Sequence, residues 1–212
     1  MTISWFGQSC FRIETKEGSV LIDPFSKDLG LKLPKIKDDL VLVTHDHYDH
    51  NNLEDMGPEV FIIKSSGEYE KNSIAVRGIP SFHDKLQGKE RGLNTIYVIK
   101  AEDMTLCHLG DLGQDKLDDS QVEEIGDVDI LMIPVGGSYT MNYKEAVEVI
   151  SQIEPKIVIP MHYKIKDLKM ADIDGADKFI KELGLTPEKV EKFKITKKNL
   201  PIEELKLVML NI

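Results

Sequence analysis

Residues 40–50 of the chain read LVLVTHDHYDH, an apolar run and a threonine followed by three histidines and two aspartates within six positions. The apolar run is typical of a buried strand. Imidazole nitrogens and carboxylate oxygens are the ligands that a borderline-soft divalent cation such as zinc prefers. On extended backbone His45 and His47 can point to the same side, and Asp49 and His50 follow closely enough to serve a second ion. The stretch therefore predicts a metal site where a strand ends.

The chain has 212 residues, of which 41% are hydrophobic and 30% are charged. This is ordinary globular composition, and we expect residues 1–212 to form a single domain. No apolar run approaches the roughly 18 residues that cross a bilayer, and the first residues lack the basic and apolar regions of a secretory signal. We therefore expect a cytoplasmic protein with no membrane partner.

The formal net charge is −10. This argues against binding long nucleic acids through their phosphates. One basic cluster, residues 192–198, is interrupted by Phe193 and Ile195 and is predicted to be a solvated face. Cys10 and Cys107 lack CxxC partners, so we expect buried thiols instead of a disulfide framework or a zinc ribbon.

The pattern of apolar residues predicts many strands and a few helices. Helical periodicity marks residues 144–153, with Asn142 as the N-cap, and residues 175–183, with Gly184 as the stop; residues 115–125 form a weaker third helix. This mixture predicts a layered α/β sandwich. The predicted strands are residues 3–6, 10–13, 19–22, 40–43, 60–63, 74–79, 95–99, 105–109, 130–133, 157–159 and 205–210.

A faint internal repeat is present. Residues 20–23 and 106–111 are apolar strands that end in aspartate, and a second apolar strand follows each about twenty residues later. Duplication of a half and coincidence of common strand patterns explain this equally well.

The remaining histidines, His83, His108 and His162, each end or follow an apolar segment. Residues at strand ends are well placed to build a site at one edge of a sheet. Since residues 45–50 already supply several donors, we predict that His83, Asp111 and His162 join them.

The ordered series Asp23, His45-x-His47-x-Asp49-His50, His83, Asp111 and His162 resembles the signature of the metallo-β-lactamase superfamily, in which the HxHxDH motif is highly specific. The resemblance runs from the first strand to the end of the chain. The phrases SFHD (81–84), HLGD (108–111), PVGG (134–137) and PMHY (160–163) are similar to a small single-domain branch near the ascorbate-6-phosphate lactonase-like proteins, usually described as metal-dependent hydrolases. A more distant similarity is to the phospholipase D that cleaves N-acyl phosphatidylethanolamines.

The resemblance implies a four-layer αβ/βα sandwich of the metallo-β-lactamase type, with two metal ions at one edge of the sheets. It implies that Asp23 orients the ligand loop by hydrogen bonds and gives His108 no metal role, so we interpret His108 as a core or supporting residue. The implied ligands are His45, His47 and His83 for one ion, Asp49, His50 and His162 for the other, and Asp111 as the bridge.

Two such ions would hold a bridging hydroxide and lower the pKa of its parent water toward roughly 7. Asp49 and Asp111 are the predicted catalytic carboxylates of this centre. We expect zinc as the cofactor, with manganese as an alternative and iron less favoured. No GxSxG motif or Cys–His pairing offers a protein nucleophile. The sequence therefore favours hydrolysis of an ester, lactone, amide or phosphodiester bond.

The motif around His83 is Pro-Ser-Phe-His-Asp, where glyoxalase II and true β-lactamases have Gly-His-Thr, and this counts against both activities. The chain also lacks room for the extra domain of the nucleolytic β-CASP branch. Two other classes stay open: a diiron redox protein, which would need an electron-donor domain, and a metal-binding module without catalysis.

The substrate is expected to be a small anionic molecule, and a homo-oligomer is left open. Lys85, Lys89 and Arg91 either meet an anionic group or form a solvated loop. Asp84 is interpreted as a hydrogen-bond partner of a ligand imidazole. Two further features concern the pocket wall: residues 136–140 offer backbone amides and hydroxyls, and Tyr48 and Tyr163 either line the pocket or pack as core aromatics.

Overall fold

The computed structural model describes residues 1–54 and 56–212, which form two β-sheets packed face to face, with α-helices beside them. The helices are α1 (Asp119–Ile125), α2 (Tyr143–Ile153) and α3 (Asp177–Leu183). The strands are β1 (Thr2–Trp5), β2 (Phe11–Glu14), β3 (Ser19–Ile22), β4 (Leu40–Leu42), β5 (Phe61–Ile63), β6 (Gly67–Lys71), β7 (Ile74–Phe82), β8 (Leu93–Ala101), β9 (Met104–His108), β10 (Ile130–Pro134), β11 (Ile157–Met161), β12 (Glu188–Val190), β13 (Lys192–Lys194) and β14 (Lys206–Leu210).

The strand order explains why the candidate ligands meet. The first sheet runs β13-β1-β2-β3-β4-β5 and the second β12-β14-β11-β10-β9-β8-β7-β6. Strands β3 and β4 are parallel, as are β9, β10 and β11. The carboxyl ends of parallel strands lie at the same edge of a sheet, so the loops that follow them converge there.

Alternation of side chains along β3 and β4 produces two apolar clusters. Leu40 and Leu42 belong to the large core between the sheets, whereas Leu21 and Val41 belong to a smaller cluster on the outer face of the first sheet. The outer cluster is completed by the loops of residues 24–38 and 164–173 and by a short 3₁₀ helix, Lys27–Leu29. The α/β sandwich is thus confirmed, although loops, not an α-helix, cover this outer face in the described residues.

The predicted helix ends are confirmed in part. The Asn142 side chain accepts hydrogen bonds from the backbone nitrogens of Lys144 and Glu145, so it caps α2 as predicted. Gly184 ends α3 with a φ of 72°. Helix α1 starts later than predicted because Asp118 is its N-cap.

The eleven predicted strands are all present, with shifts at their ends, but β6, β12 and β13 were missed. The two repeated sequence segments correspond to similar structure, since β3 pairs with β4 in parallel and β9 pairs with β10 in the same way.

Two smaller predictions are also confirmed. Cys10 and Cys107 are free and buried. The lysines of residues 192–198 are exposed, while Phe193 and Ile195 turn inward. Among the described residues, no helix has both the length and the apolar character that crossing a bilayer requires.

Candidate metal centre

The loop after β4 carries the HxHxDH motif and is fixed from behind by the buried Asp23. One carboxylate oxygen of Asp23 accepts from the Thr44 backbone nitrogen at 2.8 Å; the other accepts from the Thr44 hydroxyl at 2.8 Å and faces Nδ1 of His50 at 2.9 Å. The same hydroxyl lies 3.0 Å from Nδ1 of His45. Because the Thr44 hydroxyl proton is used on Asp23, Nδ1 of His45 donates to the hydroxyl oxygen, while Nδ1 of His50 donates to Asp23. Both imidazoles therefore present Nε2 to the other candidate ligands.

The first group of donors contains His45, His47 and His83, whose ligand atoms all lie within 4.8 Å of one another. His45 Nε2 is 2.9 Å from His47 Nδ1. His45 and His83 are buried, whereas His47 is more accessible. Three imidazole donors, one of them accessible to solvent, suit a zinc ion that keeps a coordination position for water.

The second group contains Asp49, His50, Asp111 and His162, again within 4.8 Å of one another and all buried. Oδ2 of Asp111 lies 3.2 Å from Nε2 of His50 and 3.1 Å from Nε2 of His162. The same oxygen is 3.5 Å from Nε2 of His83 in the first group. All seven predicted ligands are thus together, divided as predicted, with Asp111 at the junction. That they bind metal stays a prediction.

The donor atoms fit divalent cations. Nε2 of His50 is buried, has no hydrogen-bond partner among the described residues, and lies 3.4 Å from Asp49 and 3.2 Å from Asp111. Nε2 of His83 and Nε2 of His162 also face Asp111, at 3.5 and 3.1 Å. Buried polar atoms are nearly always paired, so an unpaired imidazole nitrogen between two buried carboxylates is unusual. A pair of cations would satisfy the Nε2 atoms and the carboxylates together.

The charges of the centre favour bound cations. Burial, reinforced by the nearby His50, lowers the pKa of His45 to about 2, so this imidazole is neutral near pH 7. Burial alone would raise the pKa of Asp111, but His162 and His50 hold it well below the usual value. Burial disfavours the charged form of His50 and so would lower its pKa. The nearby carboxylates of Asp111, Asp49 and Asp23 instead raise the pKa of His50 well above the usual value. The buried carboxylates therefore require positive charge, from a proton or from a metal ion.

Two glycines allow the ligand loops to approach closely. A Cβ on Gly113 would lie 2.3 Å from the carbonyl oxygen of His83, and one on Gly136 would lie 2.2 Å from that of His162. Any side chain at these positions would displace a candidate ligand.

Sequence reasoning missed the loop between β1 and β2. Gln8 and Ser9 are completely buried. The Gln8 side-chain amide donates to Oδ2 of Asp49 at 3.0 Å, and the Ser9 hydroxyl donates to Oδ1 of Asp111 at 3.1 Å. The Gln8 backbone oxygen also accepts from the backbone nitrogen of His162 at 3.0 Å. Adjacent residues thus support both carboxylates; the signal available in the sequence was a polar Gly-Gln-Ser turn between two apolar strands.

His108 lies in the core, as interpreted. Its Nε2 is 2.9 Å from the backbone oxygen of Ser9, and its Nδ1 accepts from the backbone nitrogen of Gly110 at 3.1 Å. Both ring nitrogens are therefore used, and burial lowers its pKa. His108 supports the β1–β2 loop.

The interpretation of Asp84 was wrong. Its carboxylate does not bond an imidazole; it accepts from the backbone nitrogens of four residues of its own loop, at 2.7 to 2.9 Å. The four are Leu86, Gly88, Glu90 and Arg91. Asp84 therefore organises the loop that follows His83.

The three cations of this loop have different positions. Lys85 pairs with Asp115 and Glu145, and so is already neutralised. Lys89 is exposed and is not among the residues that line the cavity at the candidate ligands. Arg91 lines that cavity, which has a volume of about 280 Å³, and stacks over the ring of Tyr139 at 5.0 Å. Lys169, which was not predicted, lines the same cavity.

Of the two aromatic residues next to ligands, Tyr48 lines the cavity and is 57% exposed, whereas Tyr163 is buried and stacks on Trp5 at 5.0 Å. The turn at residues 136–140 contributes the Tyr139 ring. Three of its backbone amides are already used: that of Gly137 donates to the Met141 oxygen, and those of Tyr139 and Thr140 donate to the Gly137 oxygen.

Comparison with known proteins places these observations in context. Residues 2–162 match the family described as "Beta-lactamase superfamily domain". A UPF0173 metal-dependent hydrolase of Thermoplasma acidophilum is 32% identical over 200 residues, covering 81% of this chain and 87% of that protein. A crystal structure from Thermotoga maritima, described as a candidate zinc-dependent hydrolase of the metallo-β-lactamase superfamily, has a TM-score of 0.82 at 35% identity, covering 99% of this chain and 97% of that one. CmlA, a diiron β-hydroxylase of Streptomyces venezuelae, has a TM-score of 0.66 at 14% identity, covering 99% of this chain and 52% of that one. At this identity the similarity shows a common fold alone.

Proposed function

This chain belongs to the metallo-β-lactamase superfamily, among the UPF0173 metal-dependent hydrolases, and we propose that it uses two divalent ions to cleave an ester, lactone or phosphodiester bond of a small anionic substrate. The hydrolase class follows from the family. The number of ions, their identity and the substrate are our proposal.

The observation that carries the two-ion proposal is the position of Asp111. One of its oxygens contacts His50 and His162 in one group and His83 in the other, at 3.1 to 3.5 Å. A carboxylate oxygen between two sets of candidate ligands is the arrangement that a bridging ligand needs. Three imidazoles in the first group favour zinc, while the carboxylates of the second also suit manganese.

Each group of residues has a defined task. The first ion would be held by His45, His47 and His83, and the second by Asp49, His50 and His162, with Asp111 shared. When bound, the ions would supply a water of lowered pKa and a Lewis acid for the bond to be cleaved. Asp23, Gln8 and Ser9 fix the orientation of the ligands by the hydrogen bonds described above.

The cavity supports a small substrate. Its volume of about 280 Å³ lies just below the range usual for drug-sized ligands. Two dications would outweigh the charges of Asp49 and Asp111, so the loaded cavity would be positive inside an acidic protein. We therefore propose an anionic substrate and exclude long nucleic acids as partners.

The test combines metal analysis with a panel of substrates. Purified protein is saturated with zinc, manganese or iron, its metal content is measured, and esters, lactones and phosphodiesters are assayed in parallel. We expect about two ions per chain and turnover of at least one substrate class, with His47→Ala losing one ion while remaining folded. One ion at saturation contradicts the two-ion proposal; iron with oxygen uptake favours a redox protein, and two ions without turnover favour a binding module.

A further inference from the structure

We infer that Arg91 and Lys169 form an anion subsite beside the metal centre, and that it takes the dianionic group of a small organic phosphate. This inference rests on the proposed function, because it concerns the substrate of the same cavity. It goes beyond that proposal by naming the chemical group and the residues that bind it.

The first argument is that both cations are free. Among the described residues, neither Arg91 nor Lys169 has a carboxylate within ion-pair distance, although the chain has ten more acidic than basic residues. Lys85, in the same loop as Arg91, is instead paired with Asp115 and Glu145. The carboxylates that line the cavity in the described residues are Asp49 and Asp111, which face the histidines. An unpaired guanidinium and an unpaired ammonium in one cavity would attract an anion.

The second argument is that the Arg91 side chain is held in place. Its backbone nitrogen donates to Asp84 at 2.8 Å, within the loop that Asp84 organises. Its guanidinium stacks over the Tyr139 ring at 5.0 Å. Such stacking is favourable and limits the orientations of the planar group, while its N–H donors remain available for an oxyanion.

The third argument is that Lys169 lies on a clamped turn. The Lys164 ammonium donates to the backbone oxygens of Leu168 and Met170, at 3.0 and 2.6 Å, on either side of Lys169. The backbone nitrogen of Lys169 donates to the backbone oxygen of Leu29 at 2.8 Å. The turn is therefore fixed against the outer cluster, while the Lys169 side chain is exposed and lines the cavity.

The size and charge of the subsite indicate its ligand. Two positive groups in one cavity match a group with two negative charges, and a phosphate monoester is largely dianionic near pH 7.5. A carboxylate would neutralise one of them. A cavity of about 280 Å³ leaves room for a few carbon atoms beyond the phosphate. The subsite thus favours a small phosphorylated molecule over a simple carboxylic acid.

The test compares three ligands with the same carbon skeleton: glycerol phosphate, glycerate and glycerol. Their binding to the metal-loaded protein is measured by calorimetry for the wild type and for Arg91→Met, Lys169→Met and the control Lys89→Met. Metal content and thermal unfolding are checked for each variant, so that the contribution of the ions is constant. Lys169 and Lys89 are both exposed, so neither replacement removes packing.

We expect the wild type to prefer glycerol phosphate over glycerate and to bind glycerol weakly. Arg91→Met and Lys169→Met should each weaken glycerol phosphate binding roughly tenfold or more, the usual loss for a hydrogen bond to a charged group, while Lys89→Met has no effect. Arg91→Lys should recover part of the loss. Unchanged affinity in both variants, or equal affinity for glycerate, would overturn the inference.

The outcome is independent of the hydrolase test. If the panel shows turnover but Arg91 and Lys169 do not affect phosphate binding, the subsite is wrong and the proposed function stands. If phosphate binding depends on both residues but nothing in the panel is cleaved, the proposed function fails and the subsite stands.

Discussion

Oδ2 of Asp111 lies 3.5 Å from Nε2 of His83, although the two residues belong to different groups of candidate ligands. Ser9 holds the other oxygen of the same carboxylate at 3.1 Å. The Asp111 carboxylate is therefore held with one oxygen toward the candidate metal ligands and the other toward the β1–β2 loop. Through this single side chain the two groups of candidate ligands are in contact.

Asp111→Asn should be more damaging than His83→Gln. The asparagine keeps the shape but removes the charge shared by both ions, whereas the glutamine affects one ion. We expect Asp111→Asn to reduce the content of both metals and to lower kcat/KM by more than the roughly 10- to 100-fold typical of losing a supporting residue. Elemental analysis and steady-state kinetics measure both effects. Equal turnover of the two variants at saturating metal would show that Asp111 does not bridge.

Gln8→Met should weaken one ion selectively. Methionine has a similar length but cannot donate to Asp49, so the second group loses support while His45, His47 and His83 keep theirs. We expect the affinity for the second ion to fall roughly tenfold, with the first ion and the fold unaffected. Ser9→Ala is the matched comparison and should weaken both ions, because Ser9 contacts the shared Asp111. Titration with a competing chelator resolves the two affinities; equal losses at both sites in Gln8→Met would contradict the assignment.

Tyr97→Phe should lower stability without affecting metal content. The Tyr97 hydroxyl donates to the backbone oxygen of Val43 at 2.9 Å and so joins the second sheet to the strand end that precedes the ligand loop. Removing a buried hydrogen bond costs about 1 kcal/mol in the free energy of unfolding. Urea unfolding of the wild type and the variant measures this difference. A loss of bound metal in the folded variant would mean that Tyr97 also positions the ligands.

Asp84→Asn should change the stability of the protein in acid. Desolvation opposes ionisation, but the four backbone amides hold the pKa of Asp84 below its usual value of 3.8. Because the pKa of Asp84 is lower in the folded state than in the unfolded state, its ionisation stabilises the folded protein at pH values above the unfolded-state pKa. This stabilisation is lost as the pH falls through the folded-state pKa. The wild type should therefore lose unfolding free energy more steeply below pH 4 than Asp84→Asn does. Parallel slopes in the two proteins would contradict this.

The positions of the candidate metal ligands were the most predictable part of the structure. His45, His47 and His50 are close in the chain, and the strand ends at His83 and His162 bring them to the same edge. Strands β6, β12 and β13 were missed because they are short or polar edge strands held by backbone hydrogen bonds, which leave little apolar pattern.

The supporting residues were harder to foresee. Gln8 acts through a contact 41 residues along the chain, and Lys169 reaches the cavity from a loop without regular structure. The role of Asp84 also depends on local turn geometry, because short polar side chains bond nearby backbone amides as readily as a ligand.

The division of the ligands along the chain has a consequence for biosynthesis. The first group is complete once residue 83 has been made, whereas the second waits for His162, delivered by β11 after it pairs with β10. Closing so long a loop is a late step in folding. We therefore expect the nascent chain to bind its first ion at the three-histidine group and its second ion later. When metal is scarce during translation, the protein would then carry one ion, at the three-histidine group.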